Sequence, residues 1–248
     1  MKIKVFAANL SNEFVFPSDF VGQKILKEYG AMFIAGSGAI LPNTVVFKNE
    51  EDVFNWQITV PQSTENIGGI EIVLQTPAMK ALKNALEEAV QKNLSITPRG
   101  VDAAKRNYSG TVELWASRVN PGLIHWVERG KISEAEASKI CDLTPFKQVA
   151  EIFKLEAQSI FFAKDLSKSI IYSVAPPGTS QHISMLALDV SEHDDSKVRE
   201  ILAKHGWFQT VISDLPHFTF LGFHENRLSD LGLKKINDGG RIFWIPNI

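Results

Sequence analysis

A single cysteine, Cys141, stands in a chain of 248 residues, so no disulfide can form within it. Ile140 and an expected apolar helical setting make it a buried small side chain rather than a reactive thiol. A lone cysteine fits the cytoplasm and is compatible with a bacterial envelope. No apolar run reaches about 18 residues, which excludes a hydrophobic membrane-spanning helix. Long runs of one charge are also missing and the formal net charge is −2, so there is no electrostatic case for nucleic acid or a membrane surface as partner. There is no repeat, no low-complexity segment and no Gly-x-Ser-x-Gly nucleophile turn. The opening Met1-Lys2-Ile3-Lys4-Val5-Phe6-Ala7-Ala8 has a basic start but too short an apolar run for a signal peptide, and reads as a first strand. Either the protein is not exported or its leader lies outside this sequence. Nothing in the composition sets an oligomeric state.

What is present suits a soluble globular protein: 44% hydrophobic and 22% charged residues, and a length able to bury a large core. Periodicity predicts helices over 19–33, 50–56, 76–93, 107–118, 133–140, 146–155 and 195–205. Thr76-Pro77 reads as a cap and first turn, Ser133-Glu134-Ala135-Glu136 as a capping box, and Gly206 as a helix stop. Pro121-Gly122 is expected to interrupt its helix. Short strands are expected over 44–47, 70–74, 94–97, 169–174, 218–221 and 241–245. The polar, glycine-rich stretch 61–69 reads as a linker, dividing an N-terminal extension (1–65) from a main domain (66–248). Helices first and short strands gathered late argue for an α+β fold rather than a parallel doubly wound sheet.

The chemistry concentrates in Pro176–Asp189, which holds His182 and Asp189, and in Ser213-Asp214-Leu215-Pro216-His217. Two imidazoles and a carboxylate suit a catalytic zinc with one open position. The spacing by itself leaves two readings open: a metal site, or core histidines that only hydrogen-bond. Ser180 more naturally orients its turn than acts as a nucleophile. His125, His193, His205 and His224 read as structural or exposed, and Trp115, Trp126, Trp207 and Trp244 as core.

Pro177-Gly178-Thr179-Ser180-Gln181-His182, continued to Ala187-Leu188-Asp189, resembles the zinc D-alanyl-D-alanine carboxypeptidases of the VanY and VanX type, which share a zinc site with hedgehog and lysostaphin-like folds. Ser180, His182, Ala187 and Asp189 match the family pattern S-x-H-x-x-G-x-A-x-D. Asp214-Leu215-Pro216-His217 matches its E-x-W-H, with aspartate for glutamate. Arg106 and Tyr108, followed by Leu114 and Trp115, match its Y-R-S-Y-x-x-Q-x-x-L-F run. The three blocks cover roughly residues 75–222 in the family's order. The resemblance implies a small antiparallel sheet carrying the zinc site, flanked by helices. It implies one Zn²⁺ on His182, Asp189 and His217, Asp214 as general base, Arg106 on the substrate's carboxylate or reacting carbonyl, and Tyr108 and Ser180 as substrate contacts. The implied activity is hydrolysis of the terminal peptide bond of peptidoglycan stem peptides, in the bacterial cell envelope where a leader has been removed and in the cytoplasm otherwise. An endopeptidase of the same fold, or a zinc-binding recognition module without turnover, is the alternative. Met185 stands where the family has glycine, which is expected to narrow the mouth of the site. Thr111 replaces glutamine, Asp214 is one methylene short, and the apparent insertion 98–105 makes Arg99 a rival to Arg106, as is Arg118.

Overall fold

The computed structural model describes residues 2–248. Residues 2–8 form a helix, α1 (Lys2–Ala8), not the expected strand. Phe6 is fully buried while Val5 is exposed. α2 (Phe20–Tyr29) starts at Asp19, whose carboxylate accepts the Gly22 amide at 2.8 Å. Its apolar stripe Ile25, Leu26 and Tyr29 faces inward, and a 3₁₀ turn, Gly30–Ile34, follows. Residues 44–47 are irregular rather than a strand: the Phe47 amide donates to the Gly178 carbonyl at 2.9 Å, not to a neighbouring strand. α3 (Glu50–Gln57) is capped by Asn49.

The stretch 61–69 is not a linker. It is a hairpin in which β1 (Gln62–Ile67) pairs antiparallel with β2 (Ile70–Gln75), Ile67 opposite Ile70. Gly68 and Gly69 form the two-residue turn with φ of 61° and 86°, the positive values such a turn demands. The polar outer face of β1 gave it the composition of a loop. α4 (Thr76–Gln91) has Gln75 rather than the expected Thr76 at its N-cap position, without a side-chain capping bond, and buries Ala78, Met79, Leu82, Ala85 and Ala89 on one face. Residues 94–97 contain no strand; the chain meets the edge of the sheet at an isolated bridge between Pro98 and Val190.

α5 (Tyr108–Glu128) runs straight through Pro121. Proline removes the amide that would bond the Ser117 carbonyl, and that oxygen instead lies 3.5 Å from Arg118 Nη1. α6 (Glu134–Cys141) opens with the expected Ser133/Glu136 capping box. Cys141, its last residue, is exposed rather than buried, because Ile140 takes the inward position. α7 (Pro145–Glu156) leads to residues 169–174, expected as a strand but folded as a 3₁₀ turn, Ile170–Tyr172. Glu156 fixes that turn by accepting the Ile170 amide at 2.6 Å and the Ser169 hydroxyl.

The remaining elements are β3 (Ala187–Asp189), α8 (Ser196–Lys204), β4 (Trp207–Phe208), β5 (His217–Phe220), β6 (Leu233–Asp238) and β7 (Arg241–Pro246). β3, β5 and β4 form an antiparallel sheet in that order, and β6 and β7 form a second hairpin. Helices and small antiparallel sheets make the fold α+β, as expected. One core joins Phe6, Ile25, Leu26 and Phe33 to Trp115, Phe153 and Trp244, so the first and last segments share it. A second core packs α4 and α8 against one face of the three-stranded sheet, through Leu82, Leu202, Leu188, Phe218 and Phe220. The other face carries Phe208, which joins the first core, and Asp189, His217 and Thr219.

Candidate metal centre and cleft

Strand register brings two of the three motif residues together. Asp189 on β3 pairs directly with His217 on β5, and Ala187 with Thr219. Side chains alternate along a strand, so Asp189, His217 and Thr219 share one face while Leu188 and Phe218 enter the core. His182 arrives from the short 3₁₀ turn Gln181–Ser184, whose first amide hydrogen bond is accepted by the Ser180 hydroxyl. The preceding Pro-Pro-Gly turn needs its glycine: Gly178 has φ of 73°, and a Cβ there would lie 2.0 Å from the Phe47 carbonyl oxygen.

The three side chains converge. His182 Nε2 lies 3.4 Å from Asp189 Oδ1, His217 Nδ1 lies 3.2 Å from the same oxygen, and the two nitrogens are 3.1 Å apart. Both imidazoles are buried, whereas the Asp189 side chain is 22% exposed, so the group opens to solvent on the aspartate side. Burial holds the His182 imidazole below its ordinary pKa, keeping it neutral. Burial pushes the Asp189 carboxyl up, and only positive charge at this point, from protonated His182 and His217 or from a cation in their place, holds it well below the usual carboxylate range.

The outer partners fix the tautomers. His182 Nδ1 lies 2.7 Å from the Ala104 carbonyl, which can only accept, so Nδ1 carries the proton and Nε2 presents a lone pair. His217 Nε2 lies 2.9 Å from Gln181 Oε1. The Gln181 amide is oriented in turn, because its Nε2 donates to the Tyr29 carbonyl at 2.7 Å and reaches Thr210 Oγ1 at 3.4 Å. Thr210 and Thr219 hydroxyls are 2.7 Å apart, and Thr219 donates to Gln181 Oε1. These bonds close a ring running from Gln181 through Thr210 and Thr219 back to Gln181. Within it Oε1 is an acceptor, so His217 carries its proton on Nε2 and presents Nδ1 as a lone pair. Two lone-pair nitrogens and a carboxylate oxygen then face one another with no proton among them, an arrangement that calls for a cation. Their separations of 3.1–3.4 Å lie at or a little under the edges, about 3.3–3.6 Å, of a tetrahedron around an ion with bonds of about 2.0–2.2 Å. The residues present therefore fit a metal ion, zinc among the candidates, with His182, Asp189 and His217 as the side chains that could hold it.

The segment 98–105, expected as an insertion, braces two of these residues with its backbone. Arg99 N–H donates to the Asp189 carbonyl at 2.9 Å, and the Asp189 amide donates to the Ala103 carbonyl at 2.8 Å. Ala104 supplies the acceptor for His182, and Arg106 N–H donates to the His182 carbonyl at 3.2 Å.

A cleft of about 240 Å³ lies over the group, lined by Tyr29, Arg106, Arg118, Tyr172, Ser180 and Asp214 along with the three donors. Asp214 is exposed, and its carbonyl accepts the His217 amide at 3.2 Å, which places the base candidate one turn from a donor residue. Arg106 Nη1 lies 3.3 Å from Ser180 Oγ, so the two expected substrate contacts hold each other. Tyr108 does not line the cleft. It begins α5 and packs with Phe47, Val53 and Ile183, because the first turn of that helix faces α3. Arg99 is likewise absent from the lining, whereas Arg118 is present. Met185 does not narrow the mouth: it is fully buried at φ of 56°, ending the 3₁₀ turn that carries His182. That left-handed conformation is what a glycine accepts at no steric cost. Gln181 escaped the sequence reading, where its one signal was a polar residue between Ser180 and His182. Among the histidines read as structural, His205 meets Glu88 at 2.9 Å at the end of α8.

No family model matches the chain, and no curated protein matches it. Among solved structures, it is similar to the LdcB LD-carboxypeptidase at 14% identity, with a TM-score of 0.35 over 60% of each chain. It is also similar to a variant of the vancomycin-resistance D,D-pentapeptidase VanY in complex with Zn(II), at 15% identity and a TM-score of 0.36, over 72% of this chain and 88% of that one. The chain thus spans 60% of the length of the LdcB structure.

Proposed function

We propose that the protein is a zinc-dependent peptidase that hydrolyses the terminal bond of peptidoglycan stem peptides, as a D-alanyl-D-alanine carboxypeptidase. The observation that carries this reading is the trio of proton-free acceptors on His182, Asp189 and His217, set in a cleft that also holds an arginine and a free carboxylate. When bound there, zinc supplies Lewis acidity that activates water at neutral pH and polarises a carbonyl. Asp214 takes the proton that water gives up on attack and delivers it to the departing amine. Arg106, steadied by Ser180, pairs its guanidinium fork with the peptide's terminal carboxylate. The buried imidazoles and their outer acceptors keep two lone pairs aimed at one point throughout.

The choice of peptide rests on the resemblance of the Ser180–Asp189, Asp214–His217 and Arg106–Trp115 blocks to the zinc carboxypeptidases. An endopeptidase of the same fold would release internal fragments, and product analysis by mass spectrometry separates the two. A zinc-binding recognition module without turnover keeps one support, the short side chain of Asp214; its second support falls away with Met185 outside the cleft. Elemental analysis of the purified protein and of His182→Ala is the deciding experiment. About one zinc per chain, lost in the variant, is expected; no zinc in the wild type after reconstitution would overturn the reading.

A further inference from the structure

Arg118 is a second cation in the cleft, and nothing in the proposed reaction uses it. It lies on α5 and is half-buried. Its Nε donates to Ser173 Oγ at 3.0 Å and its Nη1 to Ser117 Oγ at 2.9 Å. Both partners are neutral. Among the described residues, the arginines that form ion pairs are Arg106, Arg227 and Arg241, and Arg118 forms none. No hydrogen bond engages its Nη2 among those residues. A guanidinium drawn partly out of water with only neutral partners is under-compensated, and the two serines hold its plane in place. An open edge on a fixed guanidinium is a carboxylate receptor. Arg106 differs: its side chain is 14% exposed, its guanidinium sits 3.8 Å from Asp102, and its role in the proposed reaction is to pair with the terminal carboxylate.

We propose that Arg118 is a second anion-binding subsite, and that the cleft takes a peptide bearing an acidic group upstream of its own C-terminal carboxylate. The proposal deepens the reading of the cleft as a peptide site and rests on it. Tyr172 and Ser173, beside Arg118 in the lining, give this end an aromatic ring and a hydroxyl against which a side chain can lie. A peptide held at both arginines is fixed at two points, which sets its register across the metal donors.

Arg118 also ties α5 to the turn carrying Ser173, so the test must move with binding rather than with folding. The probes are synthetic peptides with one C-terminal dipeptide and a single acidic residue placed one, two or three positions upstream, each matched by its carboxamide. Calorimetry on the zinc-loaded protein gives the affinity of each pair, and amine release gives turnover. For one of the positions the carboxylate peptide is expected to bind roughly tenfold more tightly than its amide. That ratio falls to near one in Arg118→Gln, recovers in part in Arg118→Lys, and shrinks as salt is added. A tie between elements alone would lower the melting temperature and leave the ratio intact. Equal binding of acid and amide at all three positions, or a preference that survives in Arg118→Gln, overturns the subsite. Turnover is scored apart from this: a preference without amine release from any peptide removes the hydrolase reading and leaves the subsite standing.

Discussion

Replacing Gln181 with leucine tests whether an outer hydrogen-bonded ring decides which nitrogen of His217 faces the metal position. Gln181 is 2% exposed, so water cannot replace what it loses. The His217 Nε2–H, the Thr219 hydroxyl and the Tyr29 carbonyl each lose a partner. At about 1–3 kcal/mol for each orphaned buried group, the metal-free protein loses several kcal/mol. The consequence for the site is more specific. With no acceptor at Nε2, the imidazole proton moves to Nδ1, where Asp189 Oδ1 waits at 3.2 Å. The donor nitrogen is then blocked and the carboxylate is engaged. Losses of about 10–100-fold in metal affinity are typical for such outer partners, and the same is expected here. Chelator competition measures the affinity, and long-range proton–nitrogen correlation spectra of metal-free protein report the tautomer. Thr219→Val keeps the Gln181–His217 bond while breaking the ring, and is expected to cost less. Unchanged zinc affinity in folded Gln181→Leu, or a wild-type His217 already protonated at Nδ1 at mildly alkaline pH, would refute the reasoning.

Three other outcomes are expected. Asp214→Ala should retain zinc and lose about 10²–10⁴ in turnover, the usual worth of a general base; near-normal hydrolysis removes Asp214 from the mechanism. Deleting residues 1–62 should unfold the rest, because Ile25, Leu26 and Phe33 leave a core shared with Trp115. At about 1.5–3 kcal/mol each these three alone rival the stability of a typical domain, so a fragment that melts cooperatively would contradict it. Burial pushes the Glu156 carboxyl above its ordinary value of 4.5, against the hydrogen bonds from Ser169 and Ile170 and the charge of Lys24. A carboxyl raised on folding contributes stability that is fully present below its unfolded pKa and lost as pH rises through the folded one. Glu156→Gln should therefore flatten the decline in melting temperature from about pH 4.5 towards neutrality, and an unaltered slope would count against the assignment.

The elements that could be read from sequence are those whose signals are local. Ser133 and Glu136 satisfy each other across one turn, and the apolar stripe of α4 repeats at helical spacing, so both were legible without the rest of the chain. Residues 2–8 and 44–47 carry β-prone residues but find no strand to pair with, and a strand is defined by its partner. β1 was lost for the opposite reason: its partner β2 lies two residues away, but its solvent face is polar enough to resemble a loop. The grouping of His182, Asp189 and His217 was legible as a set because side chains supply it. Tyr108 lies outside the cleft lining because matching a motif fixes a position along the chain, not the face of α5 on which it falls. What sequence could not carry at all is the support. Asp189 and His182 are braced by backbone groups of Arg99, Ala103, Ala104 and Arg106. Any residue but proline offers the same amide, and every residue the same carbonyl, so this bracing leaves no trace in residue types. The segment 98–105 consequently read as an insertion, although its Ala104 carbonyl accepts from His182 Nδ1 and keeps that proton on the far side of the ring.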